Sequence, residues 1–224
     1  MTIEKFSTDF LDASPVVEKI PSSATLRFKV AKRLVDLGFA LMLLPVFVLI
    51  ACILILLNPR FNRGSLMYSQ ERVGRDAERF QIYKFRTMEG ENEECRFATQ
   101  EKERIRRLGR FMRATRIDEL PQILNVLLGQ MSMVGPRPEQ VKFYKQYTAA
   151  IPGYAARQQV RPGITGLAQL KYGYTSDTVG TARKLKWDLE YIRRSGFRLE
   201  AYIILRTIVF VFQRLINVNT KTKL

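Results

Sequence analysis

The chain has 224 residues, enough for one compact domain with a membrane segment and too few for two full domains. Lys and Arg number 37 against 21 Asp and Glu, a formal net charge of +16, and self-repulsion on that scale calls for an anionic partner: nucleic acid, anionic lipid or a phosphorylated substrate. Histidine is absent, which excludes the commonest general base and the usual imidazole metal ligand, and Cys52 and Cys95 make neither a disulfide framework nor a zinc spacing.

Residues 1–27, with Ser14-Pro15 and Pro21-Ser22-Ser23, read as a mobile extension. Leu37 to Leu57 then gives 21 residues without a charge. As a straight helix they reach about 31 Å, the thickness of a bilayer's hydrocarbon core. Two features argue against a simple span. Pro45 removes the hydrogen bond to the Leu41 carbonyl and predicts a kink at Leu44-Pro45. Basic residues flank both ends, Arg27, Lys29, Lys32 and Arg33 before and Arg60 and Arg63 after, so both ends read as cytoplasmic. A re-entrant hairpin over residues 28–60, entering and leaving on one face, reconciles the two.

From residue 61 onward the composition turns charged and aromatic, and residues 61–224 read as a cytosolic catalytic domain. MYSQERVG and FQIYKFRTM suit two short strands joined by a turn at Arg75-Asp76. An acidic loop, Glu89 to Glu94, follows. Glu101 to Arg116 reads as a helix crowded with Lys102, Arg104, Arg106, Arg107, Arg110, Arg113 and Arg116, with Ile105, Leu108, Phe111 and Met112 opposite. Ile123 to Leu128 forms an apolar helical stripe stopped by Gly129, and Gly135-Pro136-Arg137-Pro138 is rigid backbone that fixes an arginine in space. RPGITGLAQL is a turn-rich loop. Thr181 to Arg193 returns to helix, and Glu200 to Ile216 suits an amphipathic helix at the membrane interface.

Asp118 and Glu119 stand together between the arginine-rich helix and Arg137. Acids at a helix start also complement the macrodipole, and Thr115 and Asp118 have capping-box spacing, so the dipeptide alone allows a purely structural role. Its setting favours chemistry: a carboxylate among fixed cations is expected to keep a low pKa and stay ionised, as a nucleophile or metal ligand must, while arginines clamp phosphate oxygens. There is no Walker A or Gly-x-Gly-x-x-Gly run. Tyr83, Phe85, Phe80 and Phe111 fall at core-like periods rather than as a stacking platform, which argues against nucleic acid.

KRLVDLGFALMLLPVFVLIACILILL, YSQERVG, FQIYKFRTM, RLGRFMRATRIDELPQILNVLLGQMSMVGPRPE and RPGITGLAQL, in this order, resemble the bacterial monotopic phosphoglycosyl transferases. The resemblance implies a mixed, mainly helical α/β fold with a proline-kinked re-entrant helix and interfacial helices. It also implies transfer of a phosphosugar from a UDP-sugar to polyprenol phosphate through a covalent aspartate intermediate, with Mg²⁺, at the cytosolic face of the inner membrane. By it, Asp118 is the nucleophile, Asp118 and Glu119 are metal ligands, and Lys84, Arg113 and Arg137 bind phosphate. Asp188 is a further carboxylate near the site. Arg86, Arg161 and Arg72 lie in matching motifs, and Arg86 and Arg161 are assigned to substrate. Anionic lipids are expected partners and a homodimer is compatible with the pattern.

Three departures stand out. Leu44 occupies the place before the hairpin proline where the family often has serine, and LKYGYTSD replaces an Asn-Gly-Arg stretch after RPGITG. The 31 residues before Lys32 are too few for the extra spanning helices of larger members, so the chain resembles the minimal form or part of a long one. Two other readings compete: a different lipid phosphotransferase, and a non-catalytic basic membrane adaptor.

Overall fold

The structure is a computed structural model that describes residues 19–61, 65–88, 105–172 and 177–221. The acidic loop Glu89 to Glu94, together with Lys102 and Arg104, lies outside the described residues. The fold is mainly helical, with two small sheets. One helix, α1 (Leu26–Phe61), is long and apolar enough over Leu26–Leu57 to cross a membrane.

Strands β1 (Met67–Val73) and β2 (Arg79–Phe85) pair antiparallel, as the two short sequence motifs predict. Side chains alternate along a strand, so Phe80, Ile82 and Lys84 share one face. Phe80 and Ile82 pack with Ile123, Val126, Met131 and Ala40, and that packing aims Lys84 at the start of α3 (Gln122–Leu127). The open edge of β2 is closed by a side chain. Asn125, fully buried, donates to the Gln81 carbonyl at 2.7 Å and accepts from Tyr83 N at 3.1 Å. These bonds meet backbone groups that would otherwise be stranded.

The arginine-rich helix α2 is shorter than expected, Arg107–Thr115, with Arg106 extended at its start. It stacks beneath β2: Met112 is buried with Phe85 and Leu54, and a Cβ on Gly109 would fall on the Thr87 carbonyl. Strands β3 (Ser132–Val134) and β5 (Gly163–Thr165) form a parallel ribbon, while β4 (Glu139–Gln140) joins the other edge of β1. Helices α4 (Val141–Ala150), α5 (Leu167–Tyr172), α6 (Thr178–Arg193) and α7 (Phe197–Lys221) complete the chain.

Helix α1 stays helical from end to end, Pro45 included, where a hairpin is expected from the sequence. Proline removes one rung of the ladder and leaves its neighbours, and here Leu43, Leu44 and Phe47 pack on the core on both sides of it. Both halves of α1 touch the same domain. Phe28 stacks edge-on against Phe197 at 5.0 Å, Arg33 donates to the Val126 carbonyl at 2.7 Å, and Leu54 is buried with Phe85 and Met112. The opposite face is apolar and exposed at Leu41, Met42, Leu49, Ile53 and Leu56. Helix α7 exposes Leu205, Phe212 and Ile216 in the same way.

Part of the expected mobile extension is docked. Ile20 N donates to Gln159 at 2.9 Å, Ser22 Oγ to the Ile192 carbonyl at 2.8 Å and Ser23 Oγ to the Ser195 carbonyl at 2.9 Å. Ser22 meets a carbonyl that the end of α6 leaves without a helical partner, and Ser23 meets one in the turn that follows.

Candidate active site

The acid pair is carried by a single 3₁₀ turn, Ile117–Glu119, between α2 and α3. Arg116, in the left-handed region at φ 61°, makes the corner. The capping box is not formed, because the Thr115 hydroxyl donates back to the Phe111 carbonyl at 2.9 Å. Instead, the tight turn presents two neighbouring carboxylates differently.

Glu119 is 5% exposed and gathers three cations. Its Oε1 accepts from Lys84 Nζ at 3.0 Å and from Arg137 at 2.6 Å, and its Oε2 accepts from Arg116 at 2.9 Å. Burial works to raise its pKa, but Arg137, Lys84 and Arg116 together overcome it and hold Glu119 well below the usual carboxylate range. Burial likewise pulls Lys84 down, against the opposing pull of Glu119.

Asp118 is 9% exposed, and its Oδ1 is buried with no hydrogen-bond partner among the described residues. Burial and then the Glu119 charge push it up to about 6, against Lys84, Arg113 and Arg116. The sequence expectation of a low pKa therefore holds for Glu119 and is corrected for Asp118. The cations lie around both acids, and Lys84, Arg116 and Arg137 each hydrogen bond to Glu119. Arg113 is turned toward the β2 end, with Nε on Thr87 Oγ1 at 2.8 Å.

The Gly135–Pro138 loop that carries Arg137 is fixed carbonyl by carbonyl. Pro136 O accepts from Gly163 N at 2.9 Å, Arg137 O from Arg157 at 2.8 Å, and Pro138 O from Arg72 at 3.2 Å. A Cβ on Gly163 or Gly166 would overlap the Gly135 backbone, so this crossing requires glycines. The packing of Arg72 against this loop is tight: burial and then Arg137 lower its pKa to about 10.

Asp188 is placed one shell further out. It binds Arg157, not the acid pair, at 2.8 Å and 3.0 Å. Burial pushes its carboxyl up and Arg157 pulls it back. Arg157 also lies 3.7 Å from Glu139, receives the Tyr154 ring at 5.1 Å and donates to its hydroxyl at 2.9 Å. Arg161 is on a different side of the loop, with Nε on the Gly129 carbonyl at 2.7 Å beyond the end of α3. Arg86 continues β2, its backbone N–H donating to the Leu66 carbonyl at 2.9 Å. Sequence reasoning missed Arg157 and the role of Arg116; for Arg116 the signal was its i,i+3 spacing to Glu119.

The pattern of a family described as bacterial sugar transferase matches residues 27–214, from α1 through α7. This chain belongs to that family. Every residue of the site lies within the matched span. Over 182 residues the chain is 41% identical to the UDP-N-acetylgalactosamine-undecaprenyl-phosphate N-acetylgalactosaminephosphotransferase of Aeromonas hydrophila, covering 79% of this chain and 42% of that protein. It is 36% identical to the UDP-glucose:undecaprenyl-phosphate glucose-1-phosphate transferase of Klebsiella pneumoniae, over 94% of this chain and 45% of that one. A shorter relative, the exopolysaccharide production protein PSS of Rhizobium leguminosarum bv. phaseoli, is 35% identical over 76% of this chain and 88% of its own length. The chain thus spans less than half the length of the first two sugar transferases.

Proposed function

We propose that this chain moves a phosphosugar from a UDP-sugar to polyprenol phosphate. One observation carries the reading: a buried carboxylate, Glu119, is bound by Lys84, Arg116 and Arg137, beside a second carboxylate, Asp118, with a buried unpartnered oxygen. Three cations gathered at one place suit the oxygens of a diphosphate and offset the repulsion between an anionic nucleophile and phosphorus. In the first step an ionised Asp118 oxygen attacks the β-phosphorus, the bond to the UMP oxygen breaks, and UMP leaves as an anion. In the second step a lipid phosphate oxygen attacks the same phosphorus and Asp118 leaves as carboxylate. Glu119, its oxygens occupied by cations, orients Lys84, Arg116 and Arg137.

Mg²⁺ fits this arrangement through Asp118. Among the described residues its Oδ1 is a hard oxygen without a hydrogen-bond partner, and no cluster of three His, Cys, Asp or Glu occurs. Asp118 would supply a carboxylate oxygen, with phosphate oxygens and water as further ligands. When bound, Mg²⁺ would neutralise diphosphate charge and favour the ionised form of Asp118.

The chain is proposed to sit at the cytosolic face of the inner membrane, with the exposed rows of α1 and α7 in lipid. A spanning helix would carry one end about 30 Å from a domain on one side, whereas Phe28 and Leu54 both pack on this domain. Labelling of cysteines placed at positions 34 and 58 in sealed vesicles is expected from one side only; labelling from opposite sides would end this one-face placement. The reaction itself is tested by UMP release from a panel of UDP-sugars in the presence of Mg²⁺ and polyprenol phosphate. Release with at least one sugar is expected, and release with none would overturn the assignment.

A further inference from the structure

The helices with exposed apolar rows are hydrogen bonded to the ribbon that leads into Arg137. Asp36 of α1 is 4% exposed and accepts from Ser132 Oγ at 2.8 Å and from Met133 N at 3.0 Å. Ribbon pairing engages Ser132 and Val134 with β5, so the Met133 N–H points away from that strand and Asp36 meets it. On the other strand, Thr165 Oγ1 lies 2.7 Å from Thr207 Oγ1 of α7. The Thr207 hydroxyl donates to the Ile203 carbonyl at 2.7 Å, which leaves Thr165 as the donor between the two. A third connection passes through Tyr191, whose hydroxyl is 3.0 Å from Val134 O and 2.7 Å from Glu200. Glu200 in turn accepts from Lys32 of α1 at 2.6 Å.

Little slack separates the ribbon from the site. Only Gly135 and Pro136 stand between Val134 and Arg137, and Gly135 N is bound to Thr165 O at 2.9 Å. Proline fixes its own φ, so a shift of β3 passes on to the Arg137 guanidinium. We propose that Asp36 is a positioning residue which, with Thr207, ties the membrane-facing helices to the β3–β5 ribbon and so sets where Arg137 stands against Glu119. This rests on the transferase reading. Its consequence is that seating of α1 and α7 and seating of the phosphate clamp are one event.

The test is a double-mutant cycle on kcat for UMP release, using the full chain in lipid nanodiscs with a UDP-sugar that the wild type accepts. Asp36→Asn keeps the shape and removes the charge, and it is expected to lower kcat by about 10²-fold through misplacement of Arg137. In an Arg137→Ala background the same substitution is expected to change kcat by less than about twofold, because the group it acts through is gone. Thr207→Val, a milder change at a half-buried site, is expected to behave alike with a loss of roughly threefold to tenfold. A role in packing alone would give losses that multiply. Multiplying losses, or an Asp36→Asn enzyme with wild-type kcat, would overturn the proposal; if Asp36→Asn does not fold, the Thr207→Val cycle decides by the same criterion. A wild type that releases no UMP from any UDP-sugar removes the transferase reading and this proposal together, whereas multiplying losses in an active enzyme remove this proposal alone.

Discussion

Arg137 lies between two buried ionic assemblies of opposite balance. Its guanidinium joins Lys84 and Arg116 on Glu119, three cations to one carboxylate. Its carbonyl is held by Arg157, one cation set among Asp188, Glu139 and the Tyr154 hydroxyl. The second assembly satisfies itself within the protein, as a structural element does. Among the described residues the first sets three cations on one carboxylate, beside an acid whose Oδ1 has no hydrogen-bond partner, an arrangement suited to a bound anion. The second is the more deeply buried, its Arg157 side chain 3% exposed against 17% to 26% for Lys84, Arg116 and Arg137; access to the cations separates the site from its scaffold.

The largest expected effect falls on Asp118. Asp118→Asn should lower UMP release by at least about 10³-fold, as loss of a nucleophile does. It should not lower stability. Folded Asp118 holds its proton up to about pH 6, against a reference of 3.8, so folding takes up a proton between those values and stability falls as pH rises through them. Thermal melts at pH 7.5 should therefore place Asp118→Asn at or above the wild type, an advantage that shrinks by pH 5. Glu119 is the opposite case: its stabilisation is present at neutral pH and is lost as pH drops below its reference value of 4.5. Glu119→Gln should melt lower than the wild type at pH 7.5. Matching melts for the two variants would break the distinction between the neighbouring acids.

Next comes the pair that separates the assemblies. Arg137→Ala should lower kcat by about 10² to 10³-fold, the scale of one electrostatic contact to a transferring group, and should lower melting less than Arg157→Ala does because Lys84 and Arg116 stay on Glu119. Arg157→Ala removes the guanidinium bound to Asp188 and near Glu139, leaving Lys184 as the neighbouring cation, and should remove about 3–5 kcal/mol of stability, visible as a melting point lower by roughly 10 °C. The reverse pattern would contradict the division into site and scaffold.

The smallest expected effect is the pH profile. With Asp118 near 6, kcat/KM should fall about tenfold per pH unit below that value and level off above it. A flat profile down to pH 5 would mean that the acid is already ionised in the free protein.

Much of the site was legible in the sequence, because its parts are close together along the chain or rigid. Asp118 and Glu119 are adjacent, Lys84 follows from strand alternation, and Arg137 is locked by two prolines and a glycine. Other parts depend on contacts that no local pattern announces. Arg157 lies 31 residues before Asp188 and 20 after Arg137, in a stretch with no motif of its own. Asp36 reads as one more polar residue beside an apolar run, and its partners are nearly 100 residues away. The acid pair's unequal pKa values were hidden for a related reason: composition places cations near both carboxylates, but only the 3₁₀ turn directs their hydrogen bonds to one. The hairpin follows in the sequence from Pro45 and from basic residues at both ends of the run, whereas the structure keeps α1 helical through Pro45 and packs both halves on the domain.

The central claim is that Asp118 carries the phosphosugar between donor and acceptor. Mass spectrometry of the wild-type chain, incubated with an accepted UDP-sugar and Mg²⁺ without lipid and quenched rapidly, tests it directly. The account predicts a phosphosugar adduct on the peptide containing Asp118, absent from Asp118→Asn and discharged by polyprenol phosphate. An enzyme that turns over in the presence of lipid yet never shows that adduct would contradict it.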